Sequence, residues 1–178
     1  MAEKNPLIIA GTNWVWKMIL IGLGSNLANN WGSPEETLQM ALTHLQENGV
    51  KVCKKSAILS TAPFGKTDQP NFANAVAIVE TQMEPENLLA LLHEIEAKAG
   101  RVREERWGPR ALDLDLLDYH GRVEAGPPSL PHPGIAERAF VLAPIAEIAP
   151  EWVHPLSGQS AAVLLAALQG KPEGAILS

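Results

Sequence analysis

ALDLDLL, residues 111–117, is the stretch on which the fold turns. Leucine at 112, 114 and 116 alternates with aspartate at 113 and 115, the period of a strand with one apolar and one polar face. Leu112, Leu114 and Leu116 are expected to point into a core and both carboxylates the other way, roughly 6.5 Å apart along the chain. Just upstream, Pro85-Glu86 opens a helix that carries Leu88, Leu91, Leu92 and Ile95 on one side and closes at Gly100.

Working further outward, Met18 to Leu23 reads as a short buried strand, ended by the turn chemistry of Gly24-Ser25-Asn26. Ser33-Pro34 caps a helix that carries Leu38, Ala41, Leu42 and Leu45 and ends near Asn48-Gly49. Val50 to Leu59 is expected as one strand, Thr61 to Asn71 as a loop, and Phe72 to Thr81 as a third strand. The order is βαββαβ, closed by the strand that contains Asp113 and Asp115. It predicts an α+β ferredoxin-like sandwich with an antiparallel sheet. Beyond it come proline-rich turns (Pro127, Pro128, Pro131, Pro133) and two additional C-terminal helices, near Ala136–Ile148 and Ala161–Leu168. Residues 17–178 are read as a single domain and residues 1–16 as an N-terminal extension ahead of the first strand.

Hydrophobic residues at 46% and charged ones at 19% describe a globular chain rather than a disordered one. A net charge of −6 speaks against a general nucleic-acid binder. Yet four of the six arginines (Arg101, Arg103, Arg106, Arg110) crowd between positions 101 and 110, a local cationic patch on an acidic protein. The apolar run from Pro6 to Gly24 is broken by Asn13 and Lys17, so no membrane segment is expected. The single cysteine, Cys53, permits no intramolecular disulfide; its alternating apolar surroundings predict a small core residue, and a cytoplasmic location is consistent.

Two carboxylates on one strand face repel each other unless a cation neutralises them, and Mg²⁺ takes oxygen ligands while sharing its shell with substrate phosphates. D-x-D alone reads first as a strand with a solvated acidic face, since the pattern is common. Arginines leading directly into it supply the other half of a phosphoryl-transfer site, since guanidinium binds phosphate oxygens bidentately. Some of those arginines are also expected to pair with Glu104 and Glu105. GLGSN, residues 22–26, has neither the lysine of a P-loop nor a third glycine, so a nucleotide must be held otherwise. Phe64 and Phe72 flank a proline-stiffened loop before Asn74, a grouping that is more often core packing with an Asx turn but would also suit a flat heterocycle. The five histidines show no metal-binding spacing; His132, in LPHP, is a turn histidine to follow.

The segment RWGPRALDLDLL, residues 106–117, resembles the signature of the 6-hydroxymethyl-7,8-dihydropterin pyrophosphokinases of the folate pathway. IGLGSN, TAPFGKTDQPNFAN, GRVREERWGPR and LPHPGIAERAFVLAPIAEIAP extend the resemblance over nearly the whole chain from Met18. It implies transfer of the β,γ-pyrophosphoryl unit of ATP to the pterin hydroxymethyl group, releasing AMP. It further implies two Mg²⁺ ions held by Asp113 and Asp115, with Arg101 and Arg110 joining them as catalytic residues. Arg101, Arg103, Arg106, Arg110, His132 and Arg138 fall to the ATP and phosphate side. Thr61, Phe64, Phe72, Asn74, Trp107 and Phe140 fall to the pterin side, the ring sandwiched between Phe72 and Phe140. Phe72 stands where tyrosine is frequent, and His93 where glutamine is. The expected partners are ATP and the pterin, with no nucleic acid and no membrane, and the expected state is a monomer. A non-catalytic pterin- or nucleotide-binding module and a ferredoxin-like RNA-binding domain are the alternatives. The intact carboxylate pair with its arginines argues against the first and the acidic balance against the second.

Overall fold

Seven residues, Ile19–Ser25, all buried but the half-buried Gly22, form the central strand β1 of an antiparallel sheet. The computed structural model describes residues 17–63, 68–100 and 110–169. β1 is flanked by β4 (Phe72–Glu80) and β5 (Asp113–Tyr119), while β2 (Lys51–Lys55) and β3 (Leu59–Thr61) both pair with β4. The strand order β2-β4-β1-β5, with helix α1 (Pro34–Glu47) after β1 and α2 (Pro85–Lys98) after β4, is the ferredoxin-like arrangement. Two short strands, β6 (Glu124–Ala125) and β7 (Ser129–Leu130), make a separate ribbon.

The start of α1 follows from its sequence. Ser33 Oγ accepts from the amide of Glu36 at 3.3 Å, and the Glu36 carboxylate accepts from the Ser33 amide at 2.8 Å. With Pro34 in the first turn, two orphan donors are satisfied reciprocally. α1 and α2 lay their leucines against one face of the sheet, where Ile19, Ile21, Leu23, Leu112, Leu114 and Leu116 are buried. The C-terminal helices α3 (Ala139–Ile148) and α4 (Ala161–Ala167) cover the other face, against Leu20, Val76 and Leu117. The sheet is thus filled on both sides, with each fully buried Leu or Ile contributing about 1.5–3 kcal/mol of transfer free energy.

Four expectations need correction. β1 continues through Ser25, because Gly24 and Ser25 still pair with Asn74 and Ala73; the turn begins later. The stretch 50–59 is two strands rather than one. The break comes at Ser56, which is 3% exposed and holds Val76 by both its backbone amide (2.9 Å) and its hydroxyl (3.0 Å). Cys53 is exposed instead of buried: the β2/β4 register slips between Val52 and Lys54, so Cys53 falls outside the alternation. The helix expected over 136–148 starts as a 3₁₀ turn, Ile135–Glu137, and breaks at Arg138, whose φ −121° and ψ 104° are extended. Among the described residues no helix is long and apolar enough to cross a membrane.

Candidate active site

Three strands bring their polar residues to one end of the sheet face that carries α3. β5 contributes Asp113 and Asp115, and antiparallel β1 sets Gly24 opposite the first and Gly22 opposite the second. On the far side of β1, Asn74 pairs with Gly24. Glycine here keeps the floor open: a Cβ on Gly24 would lie 3.1 Å from Asn74 Oδ1 and 4.0 Å from Asp113 Cβ. The side chains of Asp113 and Asp115 are 23% and 33% exposed, half withdrawn from water but reachable. Leu112, Leu114 and Leu116 point the other way, into the core, as the alternation predicts.

Cationic groups converge on the carboxylates from before and after β5. Arg110 forms an ion pair with Asp113. Its backbone is clasped by Asn26, whose Oδ1 accepts from the Arg110 amide at 2.8 Å and whose own amide donates to the Arg110 carbonyl at 3.1 Å. His132 Nε2 lies 3.8 Å from one oxygen of Asp115, and Arg138 Nη1 lies 3.7 Å from the other. His132 Nδ1 accepts from the Gly134 amide at 3.0 Å, so a neutral ring carries its proton on Nε2, facing Asp115. Burial, and then the charge of Asp113, push the Asp115 carboxyl above its ordinary range, while His132, Arg138 and Arg110 pull it back.

The site divides into two spaces that share Asp113, Asp115 and Arg138. The larger, about 620 Å³, is walled by α2 (His93, Glu96), Arg110, the Gly126–Ser129 turn and His132. That volume is in the range of small-molecule sites. The smaller is a crevice among Gly22, Gly24, Asn74, Phe140 and Val141. Thr61 and Asn74 are both buried and joined, Asn74 Nδ2 donating to Thr61 Oγ1 at 2.7 Å. That bond leaves Asn74 Oδ1 as an acceptor and the Thr61 hydroxyl hydrogen as a donor. Phe140 lines the crevice; Phe72, half-buried opposite Thr61, shares the Asn74 face of β4 but not the crevice wall. Phe64, Arg101, Arg103, Arg106 and Trp107, and the extension 1–16, lie outside the described residues.

The residues present fit a divalent cation shared with a substrate. Among the described residues no three His, Cys, Asp or Glu side chains cluster as a metal cage. Two carboxylates with phosphates and water completing the shell is how Mg²⁺ is usually held.

Sequence reasoning passed over three residues here. Gly24 reads as part of a turn, and nothing local marks it as the floor of a cavity. Asn26 shows only turn chemistry in the sequence, yet it is 2% exposed and also donates to Gln69 Oε1 (3.1 Å) and the Pro70 carbonyl (3.0 Å). Glu96 sits four residues after Leu92, on the apolar side of α2, and a charge at that position was the available signal.

The family model described as 7,8-dihydro-6-hydroxymethylpterin-pyrophosphokinase (HPPK) matches residues 20–150. The chain belongs to the HPPK family. A 2-amino-4-hydroxy-6-hydroxymethyldihydropteridine pyrophosphokinase of Methylorubrum extorquens is 44% identical over 150 residues, covering 83% of this chain and 91% of that protein. One from Synechocystis is 41% identical over 143 residues, covering 79% of this chain and 71% of its own length. Among solved structures, an HPPK-DHPS in complex with substrates superposes with a TM-score of 0.62 at 13% identity, covering 84% of this chain and 43% of that one. At that identity the likeness speaks for the fold alone, and it agrees with the strand order. As an HPPK, the chain is a pyrophosphokinase, a diphosphotransferase of folate biosynthesis.

Proposed function

We propose that this HPPK moves the β,γ-pyrophosphoryl group of ATP onto the hydroxymethyl oxygen of 6-hydroxymethyl-7,8-dihydropterin, with Asp113 and Asp115 as its metal seat. The observation that carries the reading is the position of that pair, on the boundary between a nucleotide-sized cavity and the Asn74–Phe140 crevice. ATP takes the larger space and the pterin the smaller, so the reacting atoms meet over β5.

The pterin hydroxyl oxygen bonds to the β-phosphorus, the bond from that phosphorus to the α,β-bridging oxygen breaks, and AMP leaves. The hydroxyl proton is released to water or to a phosphate oxygen. Asp113 and Asp115 would hold two Mg²⁺ ions, which when bound neutralise the charge that grows on the triphosphate. Arg138 and the Nε2–H of His132 present donors to the same oxygens, and Arg110 presents a guanidinium from the larger cavity. Thr61 and Asn74 offer a donor and an acceptor to the edge of the heterocycle, with Phe140 against its face. Phe72 and Phe64 belong to the same side. Arg101, Arg103, Arg106 and Trp107 complete the phosphate and pterin contacts from the arginine-rich segment. The chemistry is mainly positioning and charge neutralisation rather than covalent catalysis. The proposed working form is a cytoplasmic monomer.

The test is the identity of the product. Incubated with MgATP and the hydroxymethyl pterin, the protein is expected to give equal amounts of AMP and pterin diphosphate by ³¹P NMR. ADP with a pterin monophosphate would overturn the reading.

A further inference from the structure

β5 is an edge strand. Its inner side is fixed by β1, through the pairs Gly24 with Asp113 and Gly22 with Asp115, and among the described residues its outer side faces no further strand. Such an edge leaves every second amide without a sheet partner and free to twist. The outward amide between the two aspartates is that of Leu114, and it donates to Glu96 Oε1 at 2.7 Å.

Glu96 is an unusual residue to find there. Leu88, Leu92 and Glu96 follow at helical spacing along the core side of α2, and Glu96 is 2% exposed. A leucine would extend the apolar stripe and avoid withdrawing a carboxylate from water, which is costly unless the group is well bonded. Packing alone therefore gives no reason for it. The side chain also borders the larger cavity, beside Arg110 and the aspartate pair.

We infer that Glu96 is a positioning residue: by holding the Leu114 amide it fixes the strand between Asp113 and Asp115 and so sets the direction of the two carboxylates. The inference rests on the reading of those carboxylates as the metal seat. β1 then clamps the pair from one side and α2 from the other, and the seat is rigid before substrate arrives. A residue that orients ligands without touching the ion is expected to matter about 10–100-fold for metal affinity or activity.

The experiment titrates AMP formation with MgCl₂ in the wild type, E96Q, E96L and D115N. E96Q keeps an oxygen acceptor and is expected to need Mg²⁺ within about threefold of the wild type. E96L keeps the volume but loses the acceptor, so its half-saturating Mg²⁺ should rise at least about tenfold, and KM for the pterin should stay unchanged. An E96L that melts early but has an unchanged Mg²⁺ requirement overturns the inference and leaves Glu96 a packing residue. Amide exchange in the unliganded wild type gives a second readout that needs no variant to fold. Leu114 should exchange slowly for an edge amide, and rapid exchange contradicts the clamp. D115N separates the two readings. Normal Mg²⁺-dependent turnover in D115N removes the metal seat itself, whereas a dead D115N beside an unaffected E96L removes only the role of Glu96.

Discussion

The two faces of the sheet are built from the same strands and do different work. On the face under α1 and α2, Ile19, Ile21 and Leu23 of β1 and Leu114 and Leu116 of β5 form an apolar layer. On the opposite face the character changes along the strands. Leu20, Val76 and Leu117 pack against α3 at one end, while Gly24, Asn74 and Asp113 line the crevice at the other. Residues one position apart thus serve as core and as chemistry. The strand period of two makes this possible, because one side chain can be anchored while its neighbour is presented.

The comparison can be broken from either face. Leu116→Ala, on the packed face beside Asp115, should cost about 2–5 kcal/mol through the cavity it leaves. Thermal unfolding should show a Tm fall on the order of 10 °C, with KM values nearly unchanged at permissive temperature. Arg138→Ala, on the open face, should do the reverse. Loss of a guanidinium facing the phosphates should lower kcat about 10²–10³-fold with little change in Tm. Gly24→Ala sharpens the contrast: the added Cβ presses on Asn74 Oδ1, so KM for the pterin should rise about tenfold while ATP binding is spared.

The smallest effect is one of pH on the packed region beyond the site. Burial holds His154 and His120 below their ordinary value of 6.5. The unfolded chain then binds more protons than the folded one between those lowered values and 6.5, so stability rises with pH through that window and levels off above it. Asp118 is buried and bonded to Trp152 Nε1 at 2.7 Å, and burial raises its carboxyl above 3.8. Its sign is opposite: stability falls with pH between 3.8 and the raised value. Denaturant melts from pH 4 to pH 8 should show a shallower histidine slope in His154→Asn, the remainder coming from His120, and a slope unchanged in that variant would refute the assignment.

Local chemistry wrote much of this into the sequence. The Ser33–Glu36 capping box and the 112–117 alternation each need only a few neighbouring residues, and both elements formed where expected. The features that sequence reading missed depend on partners far along the chain. The register slip that exposes Cys53 is set by pairing with β4. The break at Arg138 ends a helical pattern that local periodicity favours, and it falls where the side chain meets Asp115, on β5. At the site, Asp113 and Asp115 were legible because strand period alone puts them on one face. Asn26 is not, because it is defined by the distant backbone it holds; Glu96 shows only as a charge on an apolar helix side, and the amide it holds leaves no periodic trace.

The most direct test of the account is a single preparation of Asp115→Asn, assayed for AMP formation and melted alongside the wild type. Asp115 lines the site with a third of its side chain exposed, and asparagine keeps its shape, so the Tm should stay within about 2 °C while AMP formation falls at least about 10²-fold. AMP formation at near the wild-type rate would contradict the claim that this carboxylate pair is where the chemistry happens.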